Sequence, residues 1–193
     1  MVSKKALLAV VFVAPLAAAA TETHAGAFER QHHVGVNAGL SLLSADDAPS
    51  VNLSEGVGLH YAYGLTDAFN LVAEANASFY SWKSAISTDP KKPTPPTLPG
   101  VIAGAGVGAV YILDVLRWVP YGGLLIGADY LGGGNMVKGL VLPDLQIALG
   151  VDYAINRSWA VGVAYRQHLL FTKAETYPSY SYFALRAEYV WGW

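Results

Sequence analysis

The residues that could do chemistry in this sequence are few and regularly placed. Glu74, Asp129, Asp152, Arg166, Arg186 and Glu188, with His60, stand at alternate positions of otherwise apolar or small-residue segments. Charges set into apolar surroundings must be paired or wet. Their chemistry is therefore expected to be ion pairing inside the molecule, as a polar plug, with a narrow solute path as the alternative. Other candidates carry less. His32 and His33 are adjacent, so on a strand they point to opposite faces, and no further ligand lies nearby; a solvated N-terminal pair is expected rather than a metal site. His168 precedes a Ser- and Thr-containing segment, the residue types of a hydrolase nucleophile and its base, but no hydrolase motif surrounds it and a loop or rim histidine is expected. Gly132-Gly133-Gly134 lacks the Lys and the following helix of a phosphate loop and reads as a flexible turn. No cofactor and no catalysis are expected.

The elements that must position these charges follow from composition. Charged residues make up 13% of the 193 residues and apolar ones 53%, with 20 glycines. Soluble proteins carry roughly 25% charge, so this chain has too little to cover a surface facing water. Lys4 and Lys5 followed by the apolar run 6–16 and the small residues 17–20 form a secretory signal, expected over residues 1–20, with cleavage after Ala20, Ala25 or Ala27. Without those two lysines the formal net charge of −2 becomes about −4, which leaves no basic face for nucleic acid. Absence of Cys excludes disulfides and a lipid-modified cysteine.

Beyond the signal no stretch reaches the 18 or more apolar residues of a spanning helix, and the longest candidate, 101–113, is interrupted by glycines. A chain embedded in lipid must then satisfy its backbone in a closed β-barrel. Eight segments alternate with period two, at 33–43, 56–65, 69–82, 101–113, 121–131, 144–155, 159–167 and 180–193. The phase of the fifth is set by keeping Asp129 out of lipid, which turns Leu124, Ile126, Ala128 and Tyr130 outward. An even count lets the first strand pair with the last. A soluble barrel of lipocalin type would need a charged exterior that these segments do not have. The expected fold is all-β, a closed antiparallel eight-stranded transmembrane up-and-down barrel over residues 31–193.

Connections alternate short and long. Those at 66–68, 114–119 and 156–158 are short, as periplasmic turns are, and those at 44–55, 83–100, 132–143 and 169–179 are long, as extracellular loops are. If the turn about Asp67 is symmetric, His60 faces Glu74; the same argument about Arg157 sets Arg166 opposite Ala148. Glu74, Glu188, Arg166 and Arg186 would then meet near mid-height and close a bore only just wide enough for side chains. Tyr63, Phe69, Tyr111, Tyr153, Trp159, Tyr189 and Trp191 gather at the short-turn end, Phe79, Tyr130 and Phe183 at the other, as interfacial girdles do.

Residues 31–193 resemble the small outer-membrane barrels typified by the OmpA transmembrane domain and OmpX, by strand count, loop asymmetry and the ending Tyr189-Val190-Trp191-Gly192-Trp193. The resemblance implies a bacterial outer-membrane location reached through the periplasm. It also implies that Tyr189, Trp191 and Trp193 form an assembly signal read by the outer-membrane assembly machinery. Partners are expected to be outer-membrane lipid, that machinery, and an extracellular ligand met through loop 83–100, whose prolines between Pro90 and Pro99 stiffen it. The expected function is a non-catalytic structural or surface-interaction role, with a narrow porin-like channel as the alternative.

Overall fold

Strict alternation of apolar with small or polar residues produces eight strands. They are β1 His32–Ser44, β2 Asn52–Gly64, β3 Phe69–Phe79, β4 Val101–Ile112, β5 Trp118–Gly132, β6 Leu140–Ala154, β7 Trp159–Leu170 and β8 Ser179–Trp191. The computed structural model describes residues 28–44, 52–81, 98–115, 117–134, 136–172 and 176–192. The expected leader, most of loop 83–100 and Trp193 lie outside them. Each strand pairs antiparallel with its sequence neighbour, and β1 pairs with β8, so the sheet closes without an edge.

Facing follows parity. On β5, Ile126 is 67% exposed while its neighbour Leu125 is 1% exposed and Asp129 fully buried, so the apolar set points out and the charge in. Leu185 at 71% exposure on β8 shows the same inversion relative to a soluble barrel. At the short-turn end the outward aromatics pair across strands. Phe69 lies against Tyr111, Trp118 against Tyr153 and Trp159 against Tyr189, with ring centroids 5.1, 4.9 and 5.2 Å apart.

Several strand limits differ from the sequence expectation by three residues or more: β2 begins at Asn52, β3 ends at Phe79, β7 runs on to Leu170, and β5 and β6 begin early for one shared reason. The segments expected from 121 and 144 begin just after Pro120 and Pro143, yet β5 starts at Trp118 and β6 at Leu140. Each proline stands where its strand outruns a neighbour: β4 ends at Ile112 and β7 at Leu170, and only the carbonyls of Pro120 and Pro143 bond back, from Leu113 N and Phe171 N. A missing N–H costs nothing there. β7 itself continues past Gln167 to Leu170, which carries His168 into the strand.

The interior is layered. Toward the long connections Leu43, Tyr80, Ile102, Leu131, Leu142, Leu170, Tyr177 and Tyr180 pack into a buried apolar layer inside the barrel. Toward the short turns lie Ala62, Val72, Val110, Ile112, Leu125 and Ala148, with Phe28 from the segment before β1 packed on them. Gly133 and Gly134 turn the chain with φ of 68° and 63°, a conformation open to glycine, and Gly134 packs against the backbone of Leu98 to Gly100.

Candidate functional site

Between the two apolar layers the inward positions are polar, and they form two groups. In the lower group β3 supplies Glu74, β7 Arg166, β8 Arg186 and Glu188, β6 Asp152, β2 His60 and β1 His33. The register places His60 opposite Glu74 and Arg166 opposite Ala148. Small partners leave the bore free for the long side chain, and Arg166 Nε donates to both oxygens of Glu74 at 2.9 Å. Arg186 donates to Glu188 and, at 2.6 Å, to the Tyr121 hydroxyl, while its Nε lies 3.3 Å from Asp152. His33 Nδ1 lies 2.7 Å from Glu188 Oε1. His60 Nε2 stands 2.7 Å from both Glu188 Oε2 and Arg186 Nη2, so its tautomer decides whether it donates to the acid or accepts from the guanidinium. The ring of Tyr121 lies 5.7 Å from the Arg166 guanidinium carbon and 5.0 Å from that of Arg186, adding cation–π attraction.

Charge in this group nearly balances: Glu74, Asp152 and Glu188 stand against Arg166 and Arg186, with His33 and His60 hydrogen-bonded among them. The space left beside Glu74 and Arg166 is about 10 Å³, room for about one water. Below it a cavity of about 230 Å³ opens toward the short turns, with Asp114, Asn156 and Arg157 at its mouth and Arg166, Arg186 and Glu188 among its inner lining.

Two expectations are corrected. Asp129 does not join this group; it lies in an upper one with Asp144, His168 and Tyr180, just beneath the loop-end apolar layer. Parity gave its facing, but depth depends on the stagger of strands around the barrel, which the alternation does not contain. The histidines were also misjudged. His33 is 5% exposed and bonded to Glu188, and His168 is fully buried in β7; only His32 keeps the expected outward place, its ring stacked on Trp191 with centroids 5.3 Å apart. His33 shares inward parity with Gly35 and Asn37 on the first strand, a signal that was available. Tyr121, which reaches both arginines, shares parity with Asp129 and could have been found the same way. Tyr189 and Trp191 face outward at the short-turn end with ring centroids 5.9 Å apart.

A family profile described as the outer membrane protein beta-barrel domain matches residues 6–190. The chain belongs to this family. It is a bacterial outer-membrane protein, and its outward apolar face is the lipid face. No curated protein sequence matches it. Among solved structures this outer-membrane barrel is similar to Neisserial surface protein A, at 15% identity and a TM-score of 0.59 over 84% of this chain and 97% of that one. It is similar also to the N-terminal β-barrel domain of Pseudomonas aeruginosa OprF, at 11% identity and a TM-score of 0.58 over 84% and 98%. A third likeness is to Ail, the attachment invasion locus protein of Yersinia pestis, at 13% identity and a TM-score of 0.55 over 84% and 99%. At these identities the likeness is one of fold.

Proposed function

We propose that this outer-membrane barrel is non-catalytic and closed, and that it serves envelope structure or contact at the cell surface through its four long connections. The observation that carries this reading is the packing of side chains across its interior at two levels. The Glu74–Arg166 pair and the Arg186–Glu188 group fill the middle of the bore, and the apolar layer around Ile102, Leu131, Leu142 and Leu170 fills its loop end. Conduction would need both to move. Catalysis would need a substrate to reach His168, which is sealed under that layer.

Surface contact is the branch of this reading that draws on a neighbour. Ail has been crystallised with the heparin analogue sucrose octasulfate. In the present chain Lys91 and Lys92, among the prolines of loop 83–100, would offer cations to an extracellular ligand, outside the described residues. With the short turns in the periplasm, Tyr189, Trp191 and Trp193 would meet the assembly machinery there, and Trp193 too lies outside the described residues.

A conduit remains the second reading because the 230 Å³ cavity opens at one end. Planar bilayers decide between them. The purified barrel is expected to stay silent at low ionic strength and moderate voltage; steady, discrete openings in every preparation would overturn the closed reading.

A further inference from the structure

The upper polar group does not balance its charge. Asp129 and Asp144 are 0% and 2% exposed, and among the described residues no Lys or Arg pairs with either. Their one basic neighbour among the described residues is His168, whose Nδ1 lies 2.8 Å from Asp144 Oδ2 and 3.3 Å from Asp129 Oδ2. Even a protonated imidazole leaves one negative charge uncompensated in a sealed, low-dielectric layer, a costly arrangement. The lower group, with two arginines for three acids, shows how the same barrel handles charge elsewhere.

Unused polar atoms point to what is missing. Asp129 Oδ2 has only the 3.3 Å contact to His168 Nδ1, and Asp144 Oδ1 and the fully buried Gln146 carboxamide, which lies against Asp144, make no well-formed hydrogen bond. Gln146 stands directly opposite His168 in the β6–β7 register. It also borders Asp144: a Cβ placed on Gly127 would lie 2.8 Å from Asp144 Oδ1 and 2.9 Å from Gln146 Nε2, so glycine keeps that space open. One ligand atom each from Asp129, Asp144 and His168 lie within 4.8 Å of one another. Ligands about 2.0–2.2 Å from a tetrahedral metal are about 3.3–3.6 Å apart, so the 2.8 Å His168–Asp144 contact would open slightly, and any wider pair of the group close, around one ion.

We propose that Asp129, Asp144 and His168, with the Gln146 carboxamide turned to present its oxygen in place of Nε2 as a fourth donor, bind one divalent transition-metal cation. A set of one imidazole and three oxygens suits a zinc-type ion better than calcium or magnesium, which take six or more oxygen donors. Two carboxylates would neutralise the cation, and Tyr180, donating to Asp129 Oδ1 at 2.7 Å and stacked on His168 with centroids 4.0 Å apart, would orient two of the ligands. The ion would tie β5, β6 and β7 together beneath the loops.

The test uses the untagged full-length mature chain, refolded from urea in detergent with ZnCl2 so that the ion can enter before the apolar layer closes. After gel filtration in metal-free buffer the wild type is expected to retain about one zinc per barrel and to unfold at a higher temperature than the chelator-treated protein. Co2+ used in place of zinc should give visible absorption of a tetrahedral site. Asp144→Asn and His168→Gln should each weaken zinc retention at least tenfold, while Asp152→Asn in the lower group leaves it unchanged. Wild-type barrel without stoichiometric metal, or retention equal in wild type, Asp144→Asn and His168→Gln, would overturn the proposal. Should the variants not fold, wild-type stoichiometry and the cobalt spectrum decide it alone.

Discussion

Arg166→Ala is expected to destabilise the barrel by about 3 to 5 kcal/mol, because it leaves the Glu74 carboxylate buried with its charge unpaired. Arg166 is 5% exposed and Glu74 9%, so solvent screens little of the loss. Adding Glu74→Gln should restore most of it by removing the stranded charge, although both single variants are unstable. Urea titrations of the refolded barrel in lipid vesicles would measure all three. Additive losses in the double variant would show that the pair is not coupled. If the charge cluster alone closed the bore, as expected from the sequence, removing this residue would raise the conductance of the barrel. The structure changes that expectation, since the apolar layer at the loop end remains as a second closure, and Arg166→Ala should stay electrically silent.

Leu149→Arg should destabilise by about 2 to 4 kcal/mol, the cost of a cation on the lipid face near mid-bilayer. Leu149 is outward on β6 and 40% exposed, and its cross-strand partners are Gly122 and Tyr165. The same substitution at Val137, 97% exposed in the connection between β5 and β6, should change stability by less than about 0.5 kcal/mol. One residue along, Arg at Gly150 would fail for another reason: even a Cβ there would collide with the ring and hydroxyl of Tyr121. Equal tolerance at positions 149 and 137 would remove the case for a lipid-facing β6.

Period-two alternation made the fold legible because a membrane barrel has two environments and each strand must sort its residues between them. That is why one assumption about Asp129 oriented all of β5, and why symmetric short turns set His60 against Glu74 and Arg166 against Ala148. Depth was not legible. Asp129 and Arg166 share inward facing yet belong to different groups, because height in the bore follows from strand tilt and stagger summed over several hairpins. Nor did the sequence separate a rim histidine from a buried one: His168 follows Gln167 near an apparent strand end, and only the continuation of β7 to Leu170 carries it inside. The loop-end seal escaped notice for a related reason. Leu131, Leu142, Leu170 and Tyr177 lie at strand ends or in connections, where alternation fades.

On the closed reading, water enters this barrel from the short-turn end but does not pass through it. The chain contains no cysteine, so single cysteines can report on it without background. Ala62 lines the 230 Å³ cavity, and Ser78 is fully buried on β3, paired with Ile102 of the loop-end layer. In barrels folded in detergent, a small charged thiol reagent should modify Ala62→Cys readily and leave Ser78→Cys protected until the barrel unfolds. Modification of both at similar rates in the folded state would mean a continuous aqueous bore and would contradict the closed interior.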